Sequence, residues 1–172
     1  MVKVVAERRR ELGSPAARRL RRAGGVPGVL YGAGIGEPVP VSVDRHAFLT
    51  ALGQHVVVGQ LLDLELDGEV RTVKLQAVAR HPVRRDLAHL DFLAVASSES
   101  IEAQVPLEAA EGVMLQVGVV RLGGLPGAIP ASLRIERDHV AEGPCTAGSL
   151  RLPAGVELLD PADLVVAVLE EG

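Results

Sequence analysis

The stretch Val56–Ala79, VVVGQLLDLELDGEVRTVKLQAVA, decides the fold. It holds two strand-like runs, Val56–Leu66 and Val70–Ala79, and between them Asp67-Gly68, a dipeptide suited to the left-handed conformations of a tight hairpin turn. Working outward from this hairpin, the pattern repeats. Leu87–Ala96 (LAHLDFLAVA) is a further strand, with His89 and Asp91 on one face and Leu90 and Phe92 on the other. Upstream, Val2–Arg8, Val26–Gly32 and the alternating Glu37–Asp44 also read as strands. Two short helices interrupt them. AARRLRRAG follows the break at Gly13-Ser14-Pro15 and is closed by Gly24-Gly25, while Arg45–Gly53 ends on a glycine. Some six short strands separated by turns predict a small barrel rather than a parallel sheet.

Composition agrees. Hydrophobic residues make up 48% of the 172, enough for a packed core, but aromatics only 2%, so Val, Leu and Ala must fill it. No run of about eighteen apolar residues offers a membrane span. MVKVVAERRRELG has its basic cluster after the apolar run, the reverse of a secretory signal. The single cysteine, Cys145, excludes an internal disulfide and fits a reducing, cytoplasmic setting.

A net charge of −4 argues against a nucleic-acid partner until it is divided. Residues 1–94 carry 14 Lys+Arg against 10 Asp+Glu, whereas residues 95–172 carry 4 against 12. Charge sign and local composition both change near Ser97-Ser98-Glu99-Ser100, which predicts domains at 1–95 and 96–172. The expected class is mainly β: an N-terminal small β-barrel with short helices, then a second β-rich C-terminal domain. In the latter, IEAQVPLEA, SLRIERDHV, SLRLPAGVELL and LVVAVLE read as strand-like, around a loose, Gly-rich middle.

The strongest chemical signal is Arg8-Arg9-Arg10 followed by Arg18, Arg19, Arg21 and Arg22. Clustered guanidinium groups bind phosphates by bidentate hydrogen bonds and counterion release, although a solvated helix face looks the same in sequence. In a helix starting near Ala16, positions 18, 21 and 22 share a side and 19 points elsewhere. Tyr31 ends a strand beside Gly32 and Gly34, where it could stack on a base or sit half-buried at a barrel rim. Gly32–Gly36 (GAGIG) is followed by EPVPV where a phosphate-binding helix would have to begin, so it is a loop and not a nucleotide fingerprint. Arg80-His81-Pro82-Val83-Arg84-Arg85 and then His89-x-Asp91 suggest metal or acid–base chemistry, yet no further Cys or His completes a zinc site. Cys145 lacks a nucleophile signature, and His46, His55 and His139 read as ordinary surface or packing residues.

These residues resemble a known family. AERR with Gly13, AARRLRRAGGVPGVLYGAG and ARHPVRRDLAHLDFLAV are similar to the bacterial large-subunit ribosomal protein twenty-five family, also called general stress protein CTC. VPL at 105–107, IPASLRI at 129–135 and LPAGVELLDPADLVVAV at 152–168 resemble its two-domain branch. The resemblance implies a non-catalytic constituent of the large ribosomal subunit whose N-terminal barrel binds 5S ribosomal RNA, beside neighbouring ribosomal proteins and with no cofactor of its own. It maps the RNA face onto Arg9, Arg18, Arg19, Arg21, Tyr31, His89 and Asp91, with Gln76 and Arg80 as neighbours. Where the family commonly has Gly-Lys-Gly, this chain has Gly13-Ser14-Pro15, which removes a basic contact and stiffens the loop. The rival readings are a stress-related adaptor that binds protein, and an enzyme using Cys145 or the His89/Asp91 pair.

Overall fold

The computed structural model describes residues 2–53 and 56–171 and divides into two compact units, with the break between Ala96 and Ser97. His55 lies outside the described residues. The chain is mainly β in both units.

In the first unit the elements run β1 (Lys3–Arg8), α1 (Ser14–Arg22), β2 (Gly25–Gly32), β3 (Val39–Asp44), α2 (Arg45–Ala51), β4 (Leu61–Leu66), β5 (Glu69–Arg80) and β6 (Leu87–Ala94). The six strands close into a barrel in the order β1-β3-β2-β6-β5-β4, sealed by parallel pairing of β4 with β1. Closure leaves no sheet edge within this unit, so its backbone groups need no outside strand. The β4–β5 hairpin turns at Asp67-Gly68 with both residues at positive φ, as the turn requires.

Alternation along the strands sets the core. Leu62, Leu64 and Leu66 of β4, Val73 and Leu75 of β5, and Leu90 and Phe92 of β6 all point inward. Both phenylalanines of the chain are here, fully buried, their rings edge to face with centroids 6.4 Å apart. Phe48 comes from α2, whose N-terminus is capped by Asp44 accepting from the Ala47 N–H at 2.8 Å. Pro15 stands in the first turn of α1, where its missing N–H costs nothing. The last turn carries Arg19, Arg21 and Arg22, cations that suit the negative end of a helix.

One strand is shorter than its sequence suggests. Val56–Leu66 forms β4 only from Leu61, because Gly59 adopts φ 92 and bends the chain. Its N–H still reaches the Leu75 carbonyl, and the buried Gln60 accepts at Oε1 from the Val57 N–H.

Among its described residues the second unit has seven strands in two sheets: β7 (Ile101–Ala109), β8 (Val113–Leu115), β9 (Val119–Gly124), β10 (Leu133–Ile135), β11 (Cys145–Thr146), β12 (Glu157–Leu158) and β13 (Val165–Leu169). One sheet runs β10-β7-β9-β12 and the other β11-β13-β8. With no aromatic residue in this unit, small aliphatics such as Ala103, Val105, Val120, Leu122 and Val166 form the core. Here two expectations are corrected. The middle read as loose contains β8 and β9, and β9 is the antiparallel partner of β7 from Ile101↔Gly124 to Pro106↔Val119. Conversely, SLRLPAGVELL is strand only at Glu157–Leu158, because Pro153 has no N–H to pair and Gly155 turns at φ 81. Arg121 of β9 is held by Asp160, which accepts from its backbone N–H at 2.8 Å and its Nε at 3.1 Å. That hydrogen-bonded carboxylate, reinforced by Glu102, raises the Arg121 pKa further above its ordinary value.

Candidate nucleic-acid interface

β6 lies between β2 and β5, so its outward residues form the middle of a three-strand surface. Register places Tyr31, Leu93 and Lys74 side by side in one outward row, and Val29, Asp91 and Ala77 in the next. Between Leu75 and Ala77 the pairing of β5 slips, making Gln76 the extra residue of a bulge, exposed beside Asp91. Such a bulge re-aims a side chain without breaking the ladder elsewhere. His89 stands two residues before Asp91 on the same face, its Nδ1 3.1 Å from Asp91 Oδ1. An N–H at that nitrogen donates to the carboxylate and fixes the ring plane.

Close strand approach depends on Gly28, where a Cβ would fall 2.6 Å from the Leu90 carbonyl oxygen. Gly32, at φ 106, then carries the chain off the sheet directly after Tyr31. Residues 33–38 form the loop of the β2–β3 hairpin, with Ile35 N–H donating to the Gly32 carbonyl.

The arginines divide as helical geometry dictates. Arg18, Arg21 and Arg22 line a cleft of about 510 Å³ on one side of α1. Arg19 projects to the other side, pairs with Glu11 at 3.1 Å, and borders a shallower hollow of about 330 Å³ with Arg8, Arg9 and Arg10. Arg9 is half-buried there, and its Nη2 has no hydrogen-bond partner among the described residues. Arg8 is paired with Asp67. Across the cleft from α1 stand Arg45 at the start of α2 and the β5–β6 turn with His81 and Arg84. Arg21 Nη1 donates to the Ala88 carbonyl at 3.4 Å, next to His89, which joins the cleft to the outward face of β6.

His81 has a role that its sequence context did not suggest. Its Nδ1 accepts from the backbone N–H groups of Val83 (3.2 Å) and Arg84 (3.1 Å), while the His81 backbone N–H donates to the Asp86 carbonyl. It is the keystone of the turn. Arg80, in turn, donates from Nη1 to the Arg85 carbonyl at 3.1 Å.

The nine sequence-predicted residues therefore fall into three groups. Tyr31, Gln76, His89 and Asp91 share the outward face of β2, β6 and β5. Arg18 and Arg21 lie in the adjoining cleft, with Arg80 at the end of β5 bonded to the turn beside it, whereas Arg9 and Arg19 occupy the separate hollow across α1. Sequence reasoning missed Lys74, which period-two counting from the Asp67-Gly68 turn would have placed outward. Arg22 belonged to the arginine cluster read from the sequence but not to the mapped RNA face, and its meeting with Arg45 and Arg84 comes only with folding. Among the described residues no three His, Cys, Asp or Glu are grouped to hold a metal. Cys145 is buried on β11, its Sγ 3.5 Å from Ser149 Oγ, and serves packing. No described helix is long and apolar enough to cross a membrane.

Comparison with known proteins gives a consistent answer. The profile of the Ribosomal L25p family matches residues 4–92. The large ribosomal subunit protein bL25 of Methylococcus capsulatus is 38% identical over 166 residues, covering 89% of this chain and 81% of that one. Its counterpart from Neisseria meningitidis is 36% identical over 90% of this chain and 87% of its own. That from Thermobifida fusca is 38% identical over 99% of this chain and 90% of its own.

Proposed function

The chain belongs to the ribosomal L25p family and is a structural protein of the ribosome rather than an enzyme, and we propose that it holds 5S ribosomal RNA through its first unit. It works at the large subunit, in the cytoplasm. One observation carries the RNA reading: the outward surface of β2, β6 and β5 sets Tyr31, Gln76, His89 and Asp91 beside a cleft walled by arginines.

Each part suits a different feature of structured RNA. A regular RNA duplex hides its major-groove edges, so recognition falls on phosphates, 2′-hydroxyls and bases in irregular pairs. Tyr31 offers a flat ring and a hydroxyl; Gln76 both donates and accepts; the bonded His89–Asp91 pair gives a fixed acceptor. Arginines at the margin hold the backbone and set the register. The second unit, acidic in sum, does not share this chemistry and is assigned another partner, such as a neighbouring ribosomal protein. The test is to identify the RNA that copurifies with the chain, then titrate it with 5S RNA and an unrelated duplex of equal length. Preferential 5S binding supports the reading; equal affinity for both overturns it.

A further inference from the structure

We propose that the cleft between α1, the start of α2 and the β5–β6 turn is a second seat for RNA, binding phosphodiester groups through Arg22, Arg45 and Arg84 together with Arg18 and Arg21. The proposal rests on the RNA-binding reading above and adds to it residues outside the recognition face.

Charge is the first argument. The cleft is lined by five arginines and a single carboxylate, Asp86, which lies 3.6 Å from Arg84. Among the described residues, Arg18, Arg21, Arg22 and Arg45 have no carboxylate within 4.0 Å. Three arginines elsewhere in the unit are paired, Arg8 with Asp67, Arg19 with Glu11 and Arg71 with Glu69, and the others are not gathered opposite one another as these are. Helix-end and backbone contacts use part of these groups, but gathering five like charges around one carboxylate opposes folding electrostatically. A polyanion in the cleft reverses the sign of its effect.

Preorganisation is the second. Arg45 Nη2 is tied to the Arg21 carbonyl at 3.0 Å, which fixes the guanidinium, and its buried Nε has no acceptor among the described residues. The turn bearing Arg84 is fastened by the two N–H groups that His81 Nδ1 accepts, so the other ring nitrogen of the neutral imidazole is a donor. Donors held in place before binding lose little entropy when an anion arrives. Guanidinium forks match the geometry of phosphate oxygens.

Continuity identifies the anion. Arg21 reaches the Ala88 carbonyl, adjacent to His89, so the cleft opens from the surface that carries His89 and Asp91. A strand whose bases meet that surface continues its backbone into the cleft. Neither a free phosphate ion nor a short acidic peptide needs such continuity.

The test uses the full chain and 5S RNA, with affinity measured at several salt concentrations. Arg22 and Arg84 are exposed, so Arg22→Gln with Arg84→Gln leaves the barrel intact, as a thermal melt verifies. Each lost phosphate contact lowers the magnitude of the log–log salt slope by about 0.9, so the double variant loses about 1.8 and binds roughly 100-fold more weakly at low salt. Arg84→Lys restores most of its share of the slope; Arg151→Gln, in the second unit, leaves the slope unchanged. An unaltered slope and affinity in the double variant, with wild-type binding intact, overturns the cleft while the RNA reading stands. Should the wild type not bind 5S RNA, that reading fails, and the arginine Nε–Hε resonances of Arg45 and Arg84 decide the cleft. Their displacement by an unrelated RNA duplex supports it. No displacement, or an equal response to inorganic phosphate or an acidic peptide, overturns it.

Discussion

Asp91→Asn changes one oxygen to an NH₂ and removes a negative charge from the centre of the β2–β6–β5 surface. Folding should hardly notice. The His89–Asp91 pair is partly exposed, with side-chain accessibilities of 44% and 31%, and such a pair contributes at most about 1 kcal/mol to stability. Binding should respond in opposite directions on two RNAs. On 5S RNA, where the carboxylate accepts from a base amino group, exchanging a charged acceptor for a neutral one costs about 1–1.5 kcal/mol, close to tenfold in affinity. On an unrelated duplex no such bond exists and the carboxylate only repels phosphates. For a phosphate about 7 Å away in water that repulsion is about 0.6 kcal/mol, and screening at physiological salt reduces it. The variant should therefore bind the unrelated duplex equally well or up to about threefold more tightly. Discrimination falls by about ten- to thirtyfold.

The assay is a pair of titrations, specific and unrelated RNA, for wild type and variant at one salt concentration. A shift of the same size and sign on both RNAs refutes the reasoning, because it leaves Asp91 only a charge or a support for the fold. His89→Ala provides the companion measurement. It removes the partner that fixes the carboxylate and should cost about 1 kcal/mol on 5S RNA with little effect on the unrelated duplex.

Residues 1–96 expressed alone should retain the RNA affinity of the whole chain, and residues 97–172 should show none; equal affinity of the two pieces in titration would sink the assignment. Arg19→Ala should weaken 5S binding by about 1–3 kcal/mol through a lost charge-assisted contact, while the melting temperature stays put because the Glu11 pair is exposed. If instead the melt shifts and binding does not, Arg19 serves the fold. Phe92→Ala should cost about 3–5 kcal/mol in urea unfolding, since its ring is fully buried against Phe48 at the barrel centre. A loss below about 1 kcal/mol would show that the barrel core is not packed around these rings.

How far the sequence could be read follows from the range of each interaction. Local rules carried the barrel strands: Asp67-Gly68 turns where it must, and His89/Asp91 against Leu90/Phe92 follows from a period of two. A period of 3.6 likewise separated Arg18, Arg21 and Arg22 from Arg19, and the two hollows flanking α1 keep that separation. Glycine misled in both directions. Gly-rich text around Gly112–Gly127 concealed β8 and β9, because Val119, Val120 and Leu122 need only a partner strand to become one, and β7 supplies it. Val56–Gly59 looked extended until Gly59 took a left-handed turn. The Gln76 bulge escaped altogether, for it exists only as a mismatch between β5 and β6, and nothing in LQAVA marks it. The cleft is the extreme case. Arg22, Arg45 and Arg84 meet through one property of the fold, namely that β2, β6 and β5 are neighbours although β6 follows β2 by some sixty residues. Parallel pairing of β2 with β6 brings the start of β2, where α1 ends, to the start of β6, where the β5–β6 turn ends. Any sequence that closes the barrel in this order must set the last turn of α1 against that turn. What the fold leaves free is the choice of side chains there, and this chain places arginines on both sides of the gap.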